Sequence, residues 1–142
     1  MVSTSEYIKN LKKEQKVAFM QAFVHLASSD GDFDDDEKAY VMGMAKAYGL
    51  TKKDDILKTK TDAELIKAVK VIKDRRAAME LIKEMCILAH ADDDFSEKEA
   101  VFIGKIGKAM GVEAKKIEQI SNWVIDRFIW LEEEKIIFEK VC

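Results

Sequence analysis

The chain has 142 residues, 48% of them apolar and 36% charged, with no proline, six glycines and a formal net charge of −3. That is the length of one domain with one core and the composition of a highly helical soluble protein, with little room for long irregular loops. A negative balance argues against a nucleic-acid-binding domain, which carries a basic excess, and no apolar stretch nears the roughly 20 residues that a membrane span needs.

The first residues, Met1-Val-Ser-Thr-Ser-Glu6, hold no apolar signal core. Two cysteines, Cys86 and Cys142, form no C-x-x-C. Cys86 lies in an apolar run as a buried free thiol, and this is no disulfide framework. These features together place the protein in the cytoplasm.

Ser3 or Ser5 is placed to cap a short helix reaching about Lys12. A longer helix is predicted from about Lys13 to Ser29, with Val17, Met20, Phe23, Val24 and Ala27 at helical spacing on its buried face. Gly31 offers a left-handed stop. The next helix starts near Asp34, where Asp34-x-x-Glu37 reads as a capping box. Tyr40, Val41, Met44, Ala45 and Tyr48 mark its inner face, and Gly49 ends it. Thr51-x-x-Asp54 and Thr61-x-x-Glu64 start two further helices, the second leading into Leu65, Ile66, Val69 and Ile72.

Asp74 is placed to cap a helix with the stripe Met79, Ile82, Met85, Cys86 and Ala89. Ser96-x-x-Glu99 is another capping box, followed by Phe102, Ile103, Ile106, Met110 and Gly111. The chain closes with amphipathic helices through Trp123, Ile125, Phe128, Ile129 and Trp130, then Ile136, Ile137 and Val141. Trp123, Phe128 and Trp130 fit a core stripe, with one of them a candidate partner contact.

The organising feature occurs twice. Asp30-Gly-Asp-Phe-Asp-Asp-Asp-Glu37 and Asp92-Asp-Asp-Phe-Ser-Glu-Lys-Glu99 both read D-x-D-F-x-x-x-E. Asp30 and Asp92, Glu37 and Glu99, and Gly49 and Gly111 are each 62 positions apart. A repeat of this kind points to a duplicated helical element whose halves pack together. The expected fold is all-α: a single-domain bundle, residues 1–142, of seven to nine helices. Its two helix–loop–helix repeats, about 13–50 and 75–112, would be related by a pseudo-two-fold.

Capping accounts for much of the acidity. Asp34 to Glu37 and Ser96 to Glu99 lie in first turns, where free amides and the positive end of the helix dipole favour carboxylates. Asp30 and Asp92 end helices, where negative charge costs ~0.3–1 kcal/mol at a surface, and Asp32 and Asp94 add to it. The repeated cost asks for a compensating partner, a cation or a basic side chain. Carboxylates and freed carbonyls are hard oxygen ligands, suited to Ca2+ or Mg2+, with Mn2+ behind them. The loops fail as EF-hands: position six is Asp35 and position twelve Val41, with Glu97 and Ile103 in the second copy.

The pattern small-x-x-Asp-Gly-x-Phe-x-x-x-Glu between two apolar helices, present twice over roughly Lys13 to Gly111, resembles the TerB-like domain. That family includes bacterial tellurite-resistance TerB proteins and the N-terminal region of certain membrane-anchored DnaJ-like cochaperones. The resemblance implies an all-helical fold, a divalent-cation site and a role in stress-response or signalling assemblies. Residue by residue it points to Asp30, Asp32 and Glu37, and to Asp92, Asp94 and Glu99. Asp93 departs from the pattern by replacing glycine, which puts the shape of the second loop in question.

Other candidates carry less. His90 stands in His-x-Asp-x-Asp, but its counterpart in the first copy is Ser28, so the duplication does not support it as a ligand. His25 reads as a partly buried spacer. Lys67, Lys70, Lys73, Arg75 and Arg76 form a basic cluster, read first as a solvated face and otherwise as a site for an anion or an acidic protein partner. Acidic loops and a basic stretch would give a bipolar surface suited to docking or to a homo-oligomer. There is no phosphate loop, H-E-x-x-H, G-x-S-x-G or Cys-His zinc spacing. The expectation is a non-enzymatic cation-binding module with protein partners. The main alternative is a metal-free interaction scaffold, and a metal-dependent hydrolase ranks below both.

Overall fold

A computed structural model describes residues 3–29, 33–58, 60–91 and 96–139. Among these are seven α-helices and two short 3-10 turns, with no strand. The helices are α1 (Thr4–Ile8), α2 (Lys13–Ala27), α3 (Asp35–Ala47), α4 (Asp62–Ala68), α5 (Arg75–Ala91), α6 (Glu97–Ala109) and α7 (Ala114–Glu139). The 3-10 turns, Lys52–Asp54 and Val69–Val71, flank α4. No described helix is long and apolar enough to cross a membrane.

Most of the predicted boundaries follow from local chemistry. Asp34 accepts from the Glu37 amide at 2.8 Å and starts α3. Thr61 and Glu64 cap each other at α4, and Ser96 and Glu99 do so at α6. Asp74 accepts from the Ala77 amide at 2.8 Å at the head of α5. Helices α3 and α6 end identically. Leu50 N donates to Ala45 O at 2.8 Å and Val112 N to Gly107 O at 2.9 Å. Gly49 and Gly111 donate one turn back from φ of +84° and +82°, which only glycine adopts at little cost. Leu50 and Val112, next in the chain, turn into the core.

Helices α2 and α5 stand at corresponding places in the two repeats and pack on each other. They share one buried cluster that runs from Ile8 to Val124 and includes Phe19, Met20, Phe23, Leu81, Ile82 and Met85. Five details differ from the sequence reading. The first helix stops at Ile8, because Lys12 is extended and its amide donates to Gln15 at the head of α2. Helix α2 is buried all round from Ala18 to Val24, since α3, α4, α5 and the Val69–Val71 turn surround it. Tyr40 is exposed rather than inward. In α5, Glu80 is buried and Met79 only half so.

The fifth difference is the largest. With no glycine or proline after Gly111, the C-terminal segment forms one 26-residue helix instead of several. Only Val124 of α7 is fully buried. Trp123 and Trp130 are 46% and 67% exposed, so of the predicted core stripe only Phe128 packs against the core. Helix α7 leans on α5 and α6 through its first half, and Gly107 leaves room for Ile117 at that crossing.

Candidate functional site

Asp30, Asp32, Asp92 and Asp94 lie outside the described residues, as do Gly31 and Asp93. Their frame is described. At the end of α2, Ser28 Oγ donates to His25 O at 3.2 Å and Ser29 Oγ to Leu26 O at 2.8 Å. Two of the helix-end carbonyls in the first repeat, those of His25 and Leu26, therefore already have hydroxyl donors. The counterparts of these serines, His90 and Ala91, have no hydroxyl, and α5 continues to Ala91. The two copies thus present their acidic loops from unlike helix ends.

The described members of the expected ligand set are Glu37 and Glu99. Glu99 closes the α6 cap through Oε1, which accepts from Ser96 N at 3.2 Å and Ser96 Oγ at 3.1 Å. That box leaves Oε2 out. Glu37 contributes its amide to the Asp34 cap. Among the described residues, no group of three or more His, Cys, Asp or Glu side chains is arranged to hold a metal.

Just beyond each loop lies a small pocket. One, of about 230 Å3, is lined by Leu26, Ser96, Lys98, Glu99 and Phe102, with His25, Ser29 and Asp62. The other, also about 230 Å3, is lined by Leu88, Asp34, Asp36, Glu37 and Tyr40, with Phe23, Ala27 and Val41. Adding 62 carries Asp34, Asp36, Glu37 and Tyr40 onto Ser96, Lys98, Glu99 and Phe102, and Leu26 onto Leu88. The first pocket sets the start of α6 against α2 of the other repeat, whereas the second is lined by α2 and the start of α3 of its own repeat, with Leu88 reaching in from α5. Ser29, next to Asp30, and Ser96, next to Phe95, line the same pocket. The described residues flanking the two loops thus share one pocket.

The pockets differ in charge. In the first, His25 Nε2 lies 2.6 Å from Asp62 Oδ1, and its ring tilts against Phe102 with centroids 4.9 Å apart. His25 is thus a paired polar residue rather than a spacer. Its partner is 37 residues away, so no local pattern marks it. His90 points toward α7, with Nε2 3.1 Å from Ser121 Oγ. Burial holds its pKa below the usual histidine value, and Glu99 opposes that shift.

The basic cluster is partly consumed inside the chain. Arg75 pairs with Glu113. Arg76 lies over the Tyr7 ring, 4.1 Å from its centroid, and 3.7 Å from Glu80 Oε2. Lys67, Lys70 and Lys73 stay exposed. Glu80, a buried carboxylate outside the predicted apolar stripe, also takes Lys83 at 2.9 Å.

Between α6 and α7 a cavity of about 640 Å3 is floored by Cys86 and lined by Gly104, Ile117 and Ser121. Burial pushes the Cys86 thiol up to about 11, against a hydrogen bond with Ser121 that pulls it down. It is protonated at neutral pH and is no ready nucleophile.

Comparison with known families gives one result. The family model described as Tellurite resistance protein TerB matches residues 1–59 and 55–122. The junction of the two matches falls in the segment between the acidic-loop repeats. No match is found among curated proteins or among solved structures.

Proposed function

This chain belongs to the tellurite-resistance TerB family, and on that premise we propose that it acts as a non-enzymatic, divalent-cation-binding helical module in a bacterial stress or tellurite/metal-resistance pathway. The observation that carries this reading is the duplicated D-x-D-F-x-x-x-E loop. It places aspartates at two helix ends where the dipole disfavours them. That Ser29 and Ser96, each beside one of the loops, line one pocket supports a joint site over two separate ones. Asp30, Asp32, Asp92 and Asp94 would be the principal ligands, with Glu37 and Glu99 behind them. Such a set of hard oxygens suits Ca2+ or Mg2+ ahead of Mn2+. Calorimetric titration with each ion tests it. Wild type is expected to bind and Asp30→Asn/Asp92→Asn to lose binding, and no heat from wild type at millimolar metal would sink the proposal.

A second reading is favoured by the uncovered apolar side chains of α7: an interaction scaffold in which the acidic loops serve as caps and a docking surface. The exposed Lys67, Lys70 and Lys73 would then meet an acidic protein surface. The two readings separate on heating. A cation bound only by the folded state raises the midpoint, by about 2.7 kcal/mol of stability at a hundredfold excess over Kd. A scaffold without metal is indifferent to chelator.

A further inference from the structure

The two halves of α7 complement each other. Residues 129–139 are all exposed, and a helical stretch that short is marginal in water unless an apolar face is packed. Ile129, Trp130, Ile136, Ile137 and Phe138 are 51–80% exposed. Trp123, Trp130 and Ile137 recur every seven residues and so share one side of the helix. Around them, over residues 129–139, stand Glu132, Glu133, Glu134 and Glu139 against Lys135, a net charge of −3, or −2 once Lys140 is included.

The first half of the same helix forms, with α5, a groove of about 620 Å3. Its apolar lining is Met79, Ile120 and Trp123. Arg76, Lys83 and Lys116 face Glu80 and Asp126 there, a net charge of +1. Glu80 is shared between Arg76 and Lys83, so positive charge is left over at the rim.

We infer that this groove receives the distal half of α7 from a second copy of the chain, laid antiparallel, so that each copy fills the other's groove in a closed two-fold dimer. Groove wall and tail belong to one continuous helix, so seating one tail brings the other to the reciprocal groove. An isologous contact of that kind closes at two copies. Acidic tail meets basic rim. The large apolar side chains from Trp123 to Phe138 offer on the order of 800 Å2 per copy, what a standard interface takes from each partner.

Sedimentation of the full chain over micromolar concentrations, in chelator and reducing agent, tests this independently of cation binding and of cysteine cross-linking. Wild type is expected to dimerise. Trp130→Ser/Ile137→Ser should be monomeric with the thermal midpoint of the bundle unchanged and helical circular dichroism lost from the unpacked tail at most, because those side chains are exposed within one copy. Glu132→Lys/Glu133→Lys/Glu134→Lys should weaken the dimer about tenfold or more at low salt, and Lys116→Glu added to it should recover part of the loss. A monomeric wild type overturns the inference, even one that binds anionic vesicles through the tail. So do higher assemblies, or a dimer indifferent to both sets of changes.

Discussion

Cys86 shows how burial turns one side chain into a record of the core. Its thiol is 2% exposed, and its ionisation is pushed from 9.0 to about 11. For an acid whose pKa is raised on folding, the folded state holds the proton longer than the unfolded one. The stability tied to that proton is complete below pH 9 and drains away as pH rises toward about 11. Wild type should therefore lose stability across that window by up to roughly 2–3 kcal/mol more than Cys86→Ala does. Denaturant melts at pH 8 and pH 11 on both proteins measure the difference, and parallel curves would count against a buried neutral thiol. Glu80 and His25 are residues of the same kind. Each has a setting made by groups on other turns or other helices: Lys83 and Arg76 for Glu80, Asp62 and Phe102 for His25. Residue type alone marked neither.

At the scale of the element, starts and stops are separable from the acidic loops. Ser96 and Glu99 close the head of α6, so Ser96→Ala should cost about 1 kcal/mol of stability. It should leave cation affinity within a few-fold, because the principal ligands are untouched. A collapse of affinity in the calorimeter would mean that the cap and the site are one thing. Gly111 ends α6 at φ +82° with open space beside it. Gly111→Ala should therefore cost roughly 1–2 kcal/mol from backbone conformation alone, seen as a lowered thermal midpoint. Caps and glycine stops were legible in sequence because each is set by three or four neighbouring residues. The encircled burial of α2 was not, because it depends on which helices come to rest alongside.

For the whole molecule, the main asymmetry is along α7. Its first half packs on α5 and α6, while its second half is exposed from Ile129 onward. Removing residues 129–142 should leave the thermal midpoint of a dilute sample within about 1–2 °C of the full chain, since those described side chains bury almost nothing in one copy. A fall of several degrees would show that they pack within the bundle. The pairing of the two 230 Å3 pockets is also a whole-molecule property. The first needs the start of α6 and the end of α2 together, while the second draws only Leu88 from the other repeat.

The sequence by itself determined the helical class, the 62-residue repeat, the five capping positions Asp34, Thr51, Thr61, Asp74 and Ser96 and the two glycine stops, because periodicity and local hydrogen bonding act over one or two turns. It also carried the family, through the repeated acidic motif. Only the tertiary structure decided what surrounds those elements. It buried Glu80, paired His25 with Asp62, set Ser29 and Ser96 on one pocket and left the tryptophans of α7 in the open. The physical reason is common to all four. Burial and pairing are set by contacts between segments tens of residues apart, and helical spacing states which residues share a face without stating what that face will meet.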